Sequence, residues 1–186
     1  MKERPARHRS DTTTGYLIGG LVLAFSLFMG FFVLPQLGGR AKSALVGKPA
    51  PDFMLPYASP DRRGTTQRLS DLQGKVIVLD FWASWCAPCR AQTPVLERVA
   101  RSIGSDKLLV LGVGTNDDQL SIVRFLERKP TSYASVYDDE GMASAAYRVQ
   151  ALPTLVVIAK DGVVRASMSG VVSERDLTRA VTEAMQ

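Results

Sequence analysis

Residues 75–103, KVIVLDFWASWCAPCRAQTPVLERVARSI, decide the fold of this 186-residue chain. Lys75 to Phe81 is a near-continuous apolar run of strand length, the pattern of a strand buried on both faces. The run gives way to Trp85-Cys86-Ala87-Pro88-Cys89-Arg90 and then to a helical stretch, Ala87 to Ile103, with Pro94 as a break or kink inside it. A thiol placed where a strand hands over to a helix lies at the positive end of the helix dipole, beside backbone N–H groups with no partner in the helix. Its thiolate is stabilised there, and a Cys pKa lowered from about 8.5 to about 7 raises the thiolate fraction at neutral pH from roughly 3% to roughly half. Pro88 suits the first helical turn, where its missing N–H costs little. Cys89, one turn further in, is expected to be the more buried sulfur and to resolve a mixed disulfide formed at Cys86.

The pair has other conceivable uses. As a staple it closes a very short loop, worth about 2 kcal/mol in the chain-entropy estimate. A zinc site needs two more ligands, and the chain has no further Cys and no His beyond His8. Covalent haem attachment needs a His after the second Cys, where Arg90 stands. Two inert buried thiols remain an alternative, ill suited to a strand-to-helix junction. The absence of a body histidine also excludes Ser-His-Asp and Cys-His catalysis.

Outward from this stretch the pattern is alternating. Short strands are expected at 53–55 and 66–69, a buried strand at 107–113, and a helix at 118–129 with Leu120, Val123 and Leu126 on one side. A short strand over 133–137 and a short helix over 142–147 follow. Strands 154–159 and 163–168 flank the turn Lys160-Asp161-Gly162, and Ser173 caps a last helix striped by Leu177, Ala180, Val181 and Ala184. Strands alternating with helices and ending in a hairpin indicate an α/β sheet with helices on both faces.

The charge is placed unevenly. Lys2, Arg4, Arg7, Arg9, Arg40 and Lys42, against Glu3 and Asp11, put +4 of the formal +5 before Leu45. From Thr12 to Gly39 no charge occurs, and the 19 residues from Tyr16 to Leu34 are apolar apart from Ser26 and three Gly. As a helix that run spans about 29 Å, close to the thickness of a hydrocarbon core. The basic residues mark a membrane boundary, and no nucleic-acid partner is expected. The positive-inside tendency puts the N-terminus in the cytoplasm and the body outside it. A cleaved signal peptide would have a shorter apolar core, and Lys42 spoils the only nearby Ala-x-Ala-like site. The expected organisation is a basic N-terminus (1–15), a transmembrane signal anchor (16–37), a linker (38–47) and one domain (48–186).

Asp80 to Cys89, with Pro94 five residues past the second Cys, resembles the thioredoxin active-site stretch. The lead-in Val46-Gly47-Lys48-Pro49-Ala50-Pro51-Asp52-Phe53 is similar to the start of redoxin-type domains. With the N-terminal anchor, the chain resembles the membrane-tethered TlpA/ResA/CcmG group of extracytoplasmic thiol–disulfide oxidoreductases. That resemblance implies a thioredoxin fold, with a mixed central sheet, helices on both faces and an N-terminal β-hairpin extension. It implies a redox-active Cys86–Cys89 disulfide, with no other cofactor and no metal. By the same resemblance Leu152-Pro153 is a cis-proline loop that docks an extended client beside Trp85, Ala87 and Pro88, and Asp80 is a buried acid that exchanges a proton with Cys89. Partners would be disulfide-containing client proteins, the lipid bilayer, and a membrane thiol-electron transporter of DsbD/CcdA type as donor. The location implied is the bacterial inner membrane with the domain periplasmic, and cytochrome c maturation or copper-centre assembly the process served.

Some positions depart from the group. Asp80 stands where many anchored relatives carry Asn, and Gln92 where cytochrome-directed reductases often carry Glu. Leu79 and Ala83 occupy the Pro and Thr positions of the peroxiredoxin peroxidase pattern. A Cu(I)-binding metallochaperone using the same thiols, or a disulfide oxidase or isomerase, is the alternative function.

Overall fold

The computed structural model describes residues 12–33 and 43–186. Two compact units divide the chain, one ending at Ala41 and one beginning at Lys42. The first contains an α-helix, α1 (Thr12–Phe28), followed by a π-helical turn, Met29–Val33. Large apolar side chains of this helix, among them Leu21, Leu23, Phe25 and Leu27, are exposed. Among the described residues no helix is long and apolar enough to cross a membrane. This differs from the single span expected over 16–37: α1 covers about 26 Å at 1.5 Å per residue before the winding changes, and residues 34–37 lie outside the described residues.

The second unit begins with two short antiparallel strands, β1 (Met54–Pro56) and β2 (Thr66–Arg68). Then come β3 (Val76–Trp82), α2 (Ala87–Ile103), β4 (Leu108–Thr115), α3 (Gln119–Arg128), β5 (Ser135–Asp138), α4 (Met142–Ala146), β6 (Thr154–Ile158), β7 (Val164–Ser169) and α5 (Glu174–Ala184). The five-stranded sheet has the order β5-β4-β3-β6-β7. β3, β4 and β5 run parallel, while β6 pairs antiparallel with both β3 and β7. The architecture is the α/β sheet that the alternating pattern indicated, in the thioredoxin-like form that the resemblance implied.

β3 is central and every one of its residues is buried, which is why its sequence shows no polar alternation. Val76 and Val78 face a core built with Leu96 and Val99 of α2 and Leu177, Ala180, Val181 and Ala184 of α5. Ile77, Leu79 and Phe81 face the opposite core, with Tyr147, Tyr57 and Val164. The Ser173 hydroxyl caps α5, accepting from the Asp176 amide at 3.2 Å, as the sequence pattern anticipated.

α3 departs from its expected face. Ile122 and Leu126 are the buried pair, whereas Leu120 is 64% exposed. The helix is seated by a close approach: a Cβ built on Gly114 of β4 would lie 2.5 Å from Ile122 Cδ1. Ile122 and Leu126, one helical turn apart, form the packed face, and the missing side chain of Gly114 makes room for Ile122.

Candidate active site

Cys86 is the N-cap of α2, with extended backbone angles of φ −75° and ψ 101°. The Cys89 amide N–H donates to Cys86 Sγ at 3.2 Å. A free N–H of the first helical turn is thereby aimed at the sulfur, which is the interaction that favours a thiolate over a thiol. Cys86 and Cys89 are joined in a disulfide. Both are nearly buried, at 2% and 4% exposure. The expectation of a reachable Cys86 above a hidden Cys89 is therefore corrected: the bonded pair sits together under Ala58, Trp82, Tyr137 and Leu152, in one apolar cluster. An incoming thiolate attacks along the S–S axis from the side away from the second sulfur, so those covering side chains control its approach.

Residues flanking the pair form an exposed rim. Trp85 is 62% exposed, and its indole N–H donates to the Asn116 carbonyl at 2.9 Å. Ala87, Pro88 and Arg90 are exposed as well. The loop after β4 clamps the approach to α2 from outside: the Ser84 amide donates to Asp117 Oδ2 at 2.6 Å, and the Tyr137 hydroxyl bonds the Asp117 carbonyl at 3.0 Å. Trp82 is core, 5.4 Å from the Phe125 ring centre, so the two tryptophans divide into packing and rim.

The Leu152–Pro153 peptide bond is cis. Leu152 packs against the cluster that holds the two cysteines, so the prolyl loop and the Cys pair share one face. Pro153 itself is buried, and its carbonyl accepts from the Gly170 amide at 2.8 Å. The Ala151 carbonyl is taken by Thr154 Oγ1 at 2.7 Å. Among the described residues the backbone N–H and C=O of Leu152 make no hydrogen bond, which leaves Leu152 as the member of the loop able to pair with an extended chain.

Asp80 is fully buried on β3, opposite Gly112 of β4 and Leu155 of β6. It shares a sheet face with Val76 and Val78, which pack on Leu96 and Val99. It lies two residues beyond Val78 on that face, toward the end of β3 that leads into the Cys86 turn. Burial pushes its carboxyl up to about 7, against a lowering hydrogen bond from the Tyr133 hydroxyl at 3.0 Å. A carboxyl balanced near neutral pH is suited to accepting and returning a proton. Tyr133 escaped sequence reasoning: it stands 53 positions from Asp80, and nothing in its neighbourhood marks it. Gln92 is also fully buried, its Oε1 accepting from the Val172 amide at 2.7 Å.

Two open depressions of about 580 and 590 Å³, one beside Ser59, Arg62, Leu126 and Tyr133 and one beside Arg63, Thr66 and Leu120, do not include the cysteines. Chemistry on a protein disulfide calls for an accessible surface with a bonded backbone edge and not an enclosing cavity. The cysteines, the prolyl loop and Asp80 are therefore the candidate site.

Comparison with known proteins agrees with this geometry. The profile of the AhpC/TSA family matches residues 46–167. The chain is 30% identical over 159 residues to the thiol-disulfide oxidoreductase ResA of Geobacillus kaustophilus, covering 86% of this chain and 89% of that protein. It is 31% identical over 156 residues to the thiol:disulfide interchange protein DsbE of Pseudomonas aeruginosa, covering 83% and 82%. The structure of MTB DsbF in mixed oxidised and reduced forms superimposes with a TM-score of 0.63 at 28% identity, covering 72% of this chain and 95% of that one. The chain thus belongs to the thioredoxin-like AhpC/TSA family, and with its Cys86–Cys89 pair it is a thiol–disulfide oxidoreductase of the ResA/DsbE type.

Proposed function

We propose that this protein reduces disulfide bonds in client proteins at the outer face of the bacterial cytoplasmic membrane, held there by its N-terminal segment. The observation that carries the reading is the Cys86 sulfur at the N-terminus of α2, bonded by the Cys89 amide at 3.2 Å. In the reduced protein the Cys86 thiolate attacks a client disulfide, that S–S bond breaks, and one client sulfur leaves as a thiolate that takes up a proton. Cys89 then loses its proton to Asp80 and attacks Cys86 Sγ. The second client thiol departs, and the Cys86–Cys89 disulfide forms. Two electrons pass from the pair to the client. Leu152 holds the client backbone by its free N–H and C=O, and the Trp85, Ala87 and Pro88 rim shields the exchanging sulfurs from water.

A dithiol donor must then re-reduce the pair, and a membrane thiol-electron transporter of DsbD/CcdA type fits this role. The anchor is supported by the basic residues ahead of the apolar run and by the exposed apolar side chains of α1. Apocytochrome c and copper-centre assembly proteins are the client classes that fit the ResA and DsbE likeness.

Insulin reduction by the full-length protein, together with its reduction potential, tests the reading. A potential near that of thioredoxin, about −270 mV, is expected, and one near −120 mV would make it an oxidase. Tight stoichiometric Cu(I) uptake without insulin reduction would favour a metallochaperone. Cys89→Ser should accumulate mixed disulfides with clients in vivo, and equal trapping by Cys86→Ser would overturn the order of attack.

A further inference from the structure

Asp80 is held by only one of its two carboxyl oxygens. The Tyr133 hydroxyl donates to Oδ2 at 3.0 Å, while buried Oδ1 has no partner among the described residues. Its register neighbours Gly112 and Leu155 bring no side-chain donor. Tyr133 lies in the segment between α3 and β5, and that segment is clamped to α2, because the Ser132 amide donates to Glu97 Oε1 at 3.0 Å. Thr93, one turn past Cys89, donates to the Cys89 carbonyl at 3.2 Å, and its hydroxyl also interacts with the Tyr133 phenol. The segment that carries Tyr133 is thus tied to α2 at Glu97, and Tyr133 itself to the buried carboxyl.

We propose that Tyr133 is a positioning residue for the exchange reaction: it holds Asp80 by Oδ2 and leaves Oδ1 to receive the Cys89 proton. This rests on the reading of Cys86 and Cys89 as the exchange pair. In the resolving step the Cys89 S–H proton goes to Asp80 Oδ1 as the Cys89 sulfur bonds Cys86 Sγ. The bond from Cys86 to the client breaks, and the client sulfur leaves with the electron pair. Tyr133 keeps its own proton throughout, since burial and the neighbouring Asp80 charge push its hydroxyl well above the usual range.

The titratable groups around Asp80 are few. Tyr133 reaches it from the segment before β5, Cys86 and Cys89 stand at the start of α2, and Glu97 of α2 acts on Tyr133. β4, β5 and β6 present Gly112, Ser135 and Leu155, and the inward stripe of α5 is apolar. Removing the phenol hydroxyl leaves desolvation unopposed, so the carboxyl moves further up. A hydrogen bond to a charged group of ordinary strength corresponds to about one pH unit.

The test uses the full-length protein with insulin as the disulfide probe, assayed from pH 5 to 9 for wild type, Tyr133→Phe, Asp80→Asn and the double variant. Tyr133→Phe is expected to move the midpoint of the rate profile up by about one unit, slowing exchange about tenfold well below the midpoint and little at pH 9. In the Asp80→Asn background Tyr133→Phe should move nothing. Difference infrared titration of the Asp80 carboxyl should show the same upward shift in the folded variant. A folded Tyr133→Phe protein with the wild-type midpoint in both measurements overturns the proposal. Wild-type protein that leaves insulin unreduced overturns the exchange reading instead, and the infrared titration then still decides whether Tyr133 sets the state of Asp80.

Discussion

The Val172 amide, just ahead of α5, donates at 2.7 Å to Oε1 of Gln92 in the second turn of α2. Gln92 is fully buried, and its Nε2 has no partner. The one bond that the side chain makes thus joins the helix bearing the cysteines to the loop that starts the last helix, across 80 positions. Gln92→Ala leaves the Val172 N–H unpaired and opens a cavity. The expected loss is about 2–4 kcal/mol of folding stability, read by urea unfolding. A loss under about 0.5 kcal/mol would show that the contact is incidental.

Asp80 sets a pH signature of stability. Its folded-state pKa, pushed to about 7, lies above the ordinary carboxylate value of 3.8. Below about pH 4 the carboxyl is protonated in both folded and unfolded chains and contributes no difference. Between about pH 4 and 7 the folded state binds more protons, so the penalty grows with pH and then levels off. Asp80→Asn should therefore stabilise the fold by up to about 4 kcal/mol at pH 8 and by little at pH 4. Thermal melts at the two pH values measure this, and an equal shift at both would contradict it.

The same substitution should slow disulfide exchange by about 10²-fold near neutral pH, because the resolving thiol loses its proton acceptor. Stopped-flow reduction of a small aromatic disulfide reads the rate. Unchanged kinetics with the expected gain in stability would confine Asp80 to a structural role.

In the reduced protein at pH 7, Cys86 should be alkylated by iodoacetamide at least about tenfold faster than Cys89, because the helix-terminal N–H groups favour its thiolate. Mass spectrometry of quenched samples separates the two sites. Equal rates would remove the distinction between attacking and resolving sulfurs.

Gly112 has no room for a side chain. A Cβ there would lie 2.3 Å from Ser135 Oγ and 3.0 Å from Trp82 Nε1, in the row of the sheet that also carries Asp80. Gly112→Ala should cost about 1–3 kcal/mol by overpacking. A melting temperature equal to wild type would show that the row can spread at no cost.

Much of the fold was legible in residues 75–103, because a doubly buried strand and an amphipathic helix each write their own period into the chain. α2 runs from Ala87 to Ile103, as its pattern indicated, and Ser173 caps α5. α3 was legible as a helix, but its inward face was not: the sequence pattern points to Leu120, Val123 and Leu126, whereas Ile122 and Leu126, one turn apart, are the buried pair and Leu120 is exposed. The exposure of Cys86 was misjudged as well. Its cover comes from Ala58, Tyr137 and Leu152, none of them within reach of local pattern.

By itself the sequence determined which chemistry is present, since two thiols at a strand-to-helix junction and a lone acid inside an apolar strand are local facts with local consequences. Tertiary structure alone decided how those groups are tuned. Burial of Asp80, the Tyr133 hydroxyl on its Oδ2, the Gln92 tie to Val172 and the occupied carbonyl of Pro153 join residues far apart in the chain. Their strength depends on distance and desolvation in the folded sheet, quantities that no linear spacing encodes.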